Sequence, residues 1–178
     1  ITDFYRDVAG TGAFNSFSLS FVDGNRERLT NQYKTMADFK GKAVLIFFGY
    51  THCPDVCPAT LIEMQEVMKT LGPLSDRVQV IFITVDPQRD TAELMAQYPP
   101  AFDPRFIGLR PANDEALAKL AKDFKMYYNK VPGSNPKNYT MDHTAGSYVF
   151  DPSGNLRLYI KHGQGAQPIA HDLKVLLQ

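Results

Sequence analysis

Two cysteines are the whole thiol inventory of this 178-residue chain, and both fall within the stretch FFGYTHCPDVCPAT, as Cys53 and Cys57. Two sulfurs so close in sequence can form a staple, exchange disulfides with a partner, or hold a soft metal. A staple is the weakest of these readings. Closing so short a loop stabilises by only about 2 kcal/mol in the chain-entropy model, and a chain of this length buries roughly 70% of its unfolded surface without help. Zinc is also a poor match, because its thiol pairs usually have two intervening residues and a closed site takes four ligands. Any further soft or borderline donor has to come from four histidines and six methionines.

Those donors sort by position. His52 adjoins Cys53, and neighbouring residues rarely point at one centre, so it reads as a solvated loop histidine. His162 at a strand end and His171 in the last helix read as surface residues. Met64 and Met68 are four apart on a helical stripe, where core packing accounts for them. His143 differs, because it sits in a polar loop just ahead of AGSYVFDPSG.

The elements that must position these residues are legible from periodicity. FNSFSLSF (14 to 21) alternates apolar and polar residues and meets DGN, the pattern of a strand entering a hairpin. KAVLIFFGY (42 to 50) is a continuous apolar run, as expected of a central strand covered on both faces. From Pro58, taken as the first helical position, Leu61, Met64, Val67, Met68 and Leu71 form one stripe, closed by Gly72. VQVIFITVD (78 to 86) predicts a second strand, followed by a helix opened by Asp90 and Glu93 in capping-box spacing. Then come a strand RFIGL, a helix DEALAKLAKDF (114 to 124), the polar loop NKVPGSNPKNYTMDH, strands SYVF and LRLYIK around the turn DPSG, and a last helix IAHDLKVLL. The alternation predicts an α/β sheet with a parallel core and a late antiparallel hairpin. Repeats, low-complexity segments and linkers are absent from the sequence.

This order places both cysteines on a strand-to-helix loop at the carboxyl end of a parallel sheet, where α/β folds carry their sites. Cys57 is expected at the helix N-cap, where free amides and the helix dipole favour a thiolate. In thioredoxin-like folds the loop corresponding to DHTAGSY faces the reactive cysteines and carries a cis-proline. Here it has no proline and presents His143. Two thiolates and one imidazole make a soft site that favours Cu(I) and can hold Cu(II) with a further weak ligand. Asp142 reads either as a carboxylate behind that histidine or as a solvated loop acid.

FFGYTHCPDVCPATL, ITVDPQRDT and DHTAGSYVFDPSG, in this order and spacing, resemble the Sco (SenC/PrrC) family of copper proteins that assist assembly of the CuA centre of cytochrome c oxidase. The resemblance extends from about Phe17 to the end. It implies a thioredoxin-like fold, a central mixed sheet flanked by helices with an N-terminal hairpin extension, over residues 17–178. It implies that Cys53, Cys57 and His143 bind one copper per chain, as Cu(I) or Cu(II). Its expected partners are the copper subunit of cytochrome c oxidase and other copper chaperones. The expected location is extracytoplasmic, in the bacterial periplasm facing the inner membrane or in the mitochondrial intermembrane space, with the domain tethered by an anchor preceding residues 1–16. The DPQRDT segment also matches, but helix capping accounts for it and no copper role is assigned.

Two classes of function follow. A metallochaperone transfers copper by ligand exchange and needs His143. A thiol-disulfide oxidoreductase needs only Cys53 and Cys57 as a redox-active pair to reduce an acceptor's cysteines. A peroxidase ranks third, because the threonine expected three positions before its cysteine is replaced by Pro54 or Tyr50. Lys+Arg and Asp+Glu are each 19, so no net charge is present to attract nucleic acid. No apolar run approaches the ~18 residues of a membrane span.

Overall fold

The computed structural model describes residues 19–21, 32–34, 36–135 and 138–178. In chain order the strands and helices are β1 (Leu19–Phe21), β2 (Gln32–Lys34), β3 (Ala43–Gly49), α1 (Val56–Leu71), β4 (Val78–Thr84), α2 (Ala92–Gln97), β5 (Ile107–Pro111) and α3 (Asp114–Asp123). They continue as β6 (Tyr128–Asn135), β7 (Asn138–His143), β8 (Ser147–Phe150), β9 (Leu156–Ile160) and α4 (Ala166–Leu176).

Among the described residues, seven strands form one sheet in the order β2-β1-β5-β4-β3-β8-β9. β3, β4 and β5 run parallel, while β8 and β9 add an antiparallel edge. This is the thioredoxin-like mixed sheet expected from the sequence. Every residue of β3 and β4 is buried, because both are unbroken β-branched and aromatic runs with a layer on each face. The predicted stripe of α1 is buried as expected, and α1 packs against α4.

On the other edge, β1 pairs antiparallel with β2 and with β5, as a hairpin extension requires. Positions 14–18 of the expected strand, the DGN turn and the segment 1–16 lie outside the described residues.

Three local expectations are corrected. Helix α1 starts at Val56 with Asp55 at the N-cap, which puts Cys57 second and Pro58 third in the helix. Proline is tolerated there because first-turn amides lack helical acceptors anyway. Helix α2 starts at Ala92 with Thr91 as its cap, whose hydroxyl accepts from the Leu94 amide. Asp90 turns inward instead, since buried donors compete successfully for its carboxylate. Finally, the polar loop before His143 is a second sheet, the β6–β7 hairpin. Its proline and glycine content hid a strand alternation in which Tyr139 and Met141 face inward.

Candidate metal centre

Strand β3 ends at Gly49, and the chain turns through Tyr50-Thr51-His52 before the cysteines. The turn is closed by the Cys53 amide donating to the Tyr50 carbonyl (3.2 Å). Gly49 leaves room for the sulfur behind it: a Cβ built there would lie 2.7 Å from Cys57 Sγ and 2.6 Å from the Phe82 ring. Cys57 fills that space and is 1% exposed, whereas Cys53 is half-buried.

Both cysteines are free thiols. The helix N-terminus serves a different sulfur from the expected one. The Cys57 amide, a first-turn donor without a helical acceptor, donates to Cys53 Sγ (3.5 Å). Cys57's own sulfur lies in the interior, and burial pushes its thiol well above the ordinary range. The expected stabilised thiolate at Cys57 is therefore corrected: desolvation outweighs the helix amides at that side chain.

His143 ends β7 and shares a strand face with Met141 and Tyr139, two and four residues earlier, so it is aimed at the body of the domain. Its Nδ1 lies 3.0 Å from the Thr144 carbonyl. A carbonyl can only accept, so Nδ1 carries the proton and Nε2 presents its lone pair. That Nε2 lies 3.7 Å from Cys57 Sγ. Burial lowers the imidazole pKa, opposed by the Thr144 carbonyl and the charge of Asp142, and keeps the ring in the neutral, ligating form. The Tyr50 ring stands edge-on to it at 6.1 Å between centroids.

The Sγ atoms of Cys53 and Cys57 and a ring nitrogen of His143 all lie within 4.8 Å of one another, the one such cluster among the described residues. Ligand atoms on one ion are about 3.5–4.5 Å apart, because metal–sulfur and metal–nitrogen bonds are about 2.0–2.3 Å long. The donor set and its spacing therefore fit a soft metal.

The other histidines stay apart. His52 is 53% exposed, with Nδ1 3.1 Å from the Thr51 hydroxyl and 3.8 Å from Asp90. His162 lies beside Thr60 and His171 beside Asp172, and Met64 and Met68 are core residues. Asp142 is exposed, the solvated alternative.

Sequence reasoning missed Gly49, Tyr50, Thr51 and Asp90. The Asp90 carboxylate is 0% exposed and accepts from the Thr51 amide (3.1 Å), the Thr51 hydroxyl (2.6 Å) and the Thr84 hydroxyl (2.5 Å). Only the recurrence of DPQRDT among the resembling segments pointed to it.

The sequence model of the SCO1/SenC family matches residues 17–178. The chain is 37% identical over 140 residues to the mitochondrial SCO2 homolog of Bos taurus, covering 78% of this chain and 52% of that protein. It spans about half the length of the curated relatives it matches. Among solved structures, copper-bound ScoI of Bradyrhizobium japonicum is similar at 39% identity and TM-score 0.77, covering 92% of this chain and 99% of that one. Copper-bound ScoI of Arabidopsis thaliana is similar at 27% identity and TM-score 0.80, covering 92% and 98%. The reach of the family match and the agreement in fold and identity lead to one conclusion: the chain belongs to the SCO1/SenC family.

Proposed function

We propose that this protein is a copper metallochaperone that holds one copper ion, as Cu(I) or Cu(II), through Cys53, Cys57 and His143. The observation that carries this reading is the convergence of two sulfurs and a neutral imidazole nitrogen within 4.8 Å. Two soft donors with one borderline nitrogen suit Cu(I) and, with a further weak ligand, Cu(II). Copper-bound members of the family at 39% and 27% identity support the choice of metal. The proposed acceptor is the CuA site of cytochrome c oxidase, reached by ligand exchange from an extracytoplasmic, membrane-tethered domain. The mitochondrial relatives support that location.

A second reading, reduction of the acceptor's cysteines, is favoured by one feature. Cys53 Sγ is the more accessible sulfur and accepts a helix-terminal amide, which leaves it placed to meet a partner's disulfide first.

His143→Ala separates the two. A dithiol reductase keeps its sulfurs, so thiol-disulfide exchange changes only modestly. A copper carrier loses its nitrogen donor and with it stable Cu(II) binding. The expected result is exchange activity near wild type, no stable Cu(II) complex, and failure to support oxidase assembly in a strain lacking the native protein. Full oxidase activity in that strain under limiting copper would transfer the assignment to the reductase.

A further inference from the structure

The segment Asp86-Pro87-Gln88-Arg89-Asp90-Thr91, between β4 and α2, touches both of the segments that carry the candidate ligands. On one side, the buried Asp90 carboxylate takes the amide and the hydroxyl of Thr51, two residues before Cys53. On the other, Asp86 accepts from the Tyr139 hydroxyl (2.9 Å), and Arg89 Nη1 donates to the Tyr139 carbonyl (2.9 Å). The Arg89 guanidinium also pairs with Asp86 and lies 3.5 Å from the centre of the Tyr139 ring. Tyr139 shares its strand face with His143.

The segment is itself braced. Arg110 on β5 donates through Nε to the carbonyls of Pro87 and Asp90 (3.1 and 3.0 Å) and through Nη2 to Pro87 (2.7 Å). Burying a carboxylate and a guanidinium is costly unless they are held by specific partners, and apolar residues would fill the same space without that cost. Arg89 Nη2 is buried with no acceptor among the described residues, although the side chain as a whole is 19% exposed.

We propose that this segment is a two-armed clamp that sets the separation between the sulfur loop and the imidazole, with Asp90 positioning the cysteines through Thr51 and Arg89 with Asp86 positioning His143 through Tyr139. The clamp deepens the reading of Cys53, Cys57 and His143 as a copper site and rests on it. None of its residues contacts copper; all act through the segments they hold.

The test compares Cu(I) affinity by chelator competition for Thr51→Val, Asp90→Asn, Arg89→Met and Tyr139→Phe, each alone and combined with His143→Ala. Residues that orient metal ligands typically alter affinity by about 10–100-fold, and a loss of about tenfold is expected from each single variant. In the His143→Ala background, Arg89→Met and Tyr139→Phe should cost nothing more, because no imidazole is left to position, whereas Thr51→Val and Asp90→Asn should still weaken binding. A metal-free readout runs alongside. The rate at which Cys53 and Cys57 form a disulfide should change in Thr51→Val and Asp90→Asn and match wild type in Arg89→Met and Tyr139→Phe. If Asp90→Asn fails to fold, Thr51→Val carries that arm, since it removes one hydroxyl and keeps the amide. Equal losses from Arg89→Met with and without His143 would show a general effect on the fold and overturn the clamp. So would wild-type affinity in all four single variants. Failure of the wild-type protein to bind copper, or indifference of its binding to His143→Ala, would instead remove the copper reading, and the clamp with it.

Discussion

At the scale of single residues, proton bookkeeping separates Cys57 from His143 among the candidate ligands. The buried Cys57 thiol has its pKa pushed up, so it is protonated in metal-free protein at neutral pH. His143 has its pKa pushed down and is already neutral there. At the proposed site copper should therefore displace a proton from Cys57 and none from His143, so affinity should rise with pH, by about tenfold per unit for each proton released. Titration of copper binding between about pH 6 and pH 8, with proton release measured directly, checks the sign. Cys57→Ser should release fewer protons and lose the sulfur-to-copper charge-transfer band of the Cu(II) form. A flat pH profile, or a band and stoichiometry unchanged in that variant, would remove Cys57 from the site. The sequence made the three donors visible because sulfur and imidazole are scarce and chemically distinct. It misjudged the protonation of Cys57 because desolvation depends on what covers a side chain, and Cys57 is buried with its sulfur against the bare backbone of Gly49.

At the scale of elements, the site is made where β3 ends, where α1 begins and where β7 ends. Strands β3 and β4 and helix α1 were legible because their apolar runs are long and unmixed, whereas the three-residue β2 had no such signal. The β6–β7 hairpin looks like a loop in the sequence because Pro132, Gly133 and Pro136 obscure its alternation, yet that hairpin aims His143. Gly49 is the tightest coupling between strand and site. Gly49→Ala would drive a methyl into Cys57 Sγ and the Phe82 ring at 2.7 and 2.6 Å, closer than atoms can stay. Overpacking of this kind costs about 1–3 kcal/mol, so denaturant unfolding should show a loss of that size together with weakened copper binding. Copper affinity equal to wild type in a measurably destabilised variant would show that the sulfur can shift without loss of the site.

At the scale of the whole molecule, the proposed copper site and the alternative disulfide draw on the same pair of sulfurs and should compete. A disulfide bond is about 2.05 Å long and leaves no thiolate for a metal, so oxidised, metal-free protein should contain no free thiol and bind no copper until reduced. Thiol counting after treatment with a strong oxidant, followed by copper loading before and after reduction, tests this. Two free thiols in the oxidised sample, or full copper loading without reduction, would contradict it. By itself the sequence determined the α/β class, the central strand, the buried stripe of the long helix, and the three residues whose chemistry suits a soft metal. The class, the strand and the stripe follow from short-range periodicity, which acts along the chain, whereas the choice of His143 among four histidines rested on the place of its loop and on the family resemblance. Only the tertiary structure decided that His143 Nε2 comes within 3.7 Å of Cys57 Sγ, that Cys53 receives the helix amide, and that Asp90 leaves its expected cap to hold the Thr51 turn. The physical reason is that these contacts join residues from 4 to 86 positions apart, where competition among buried donors and acceptors, rather than local propensity, selects the partner.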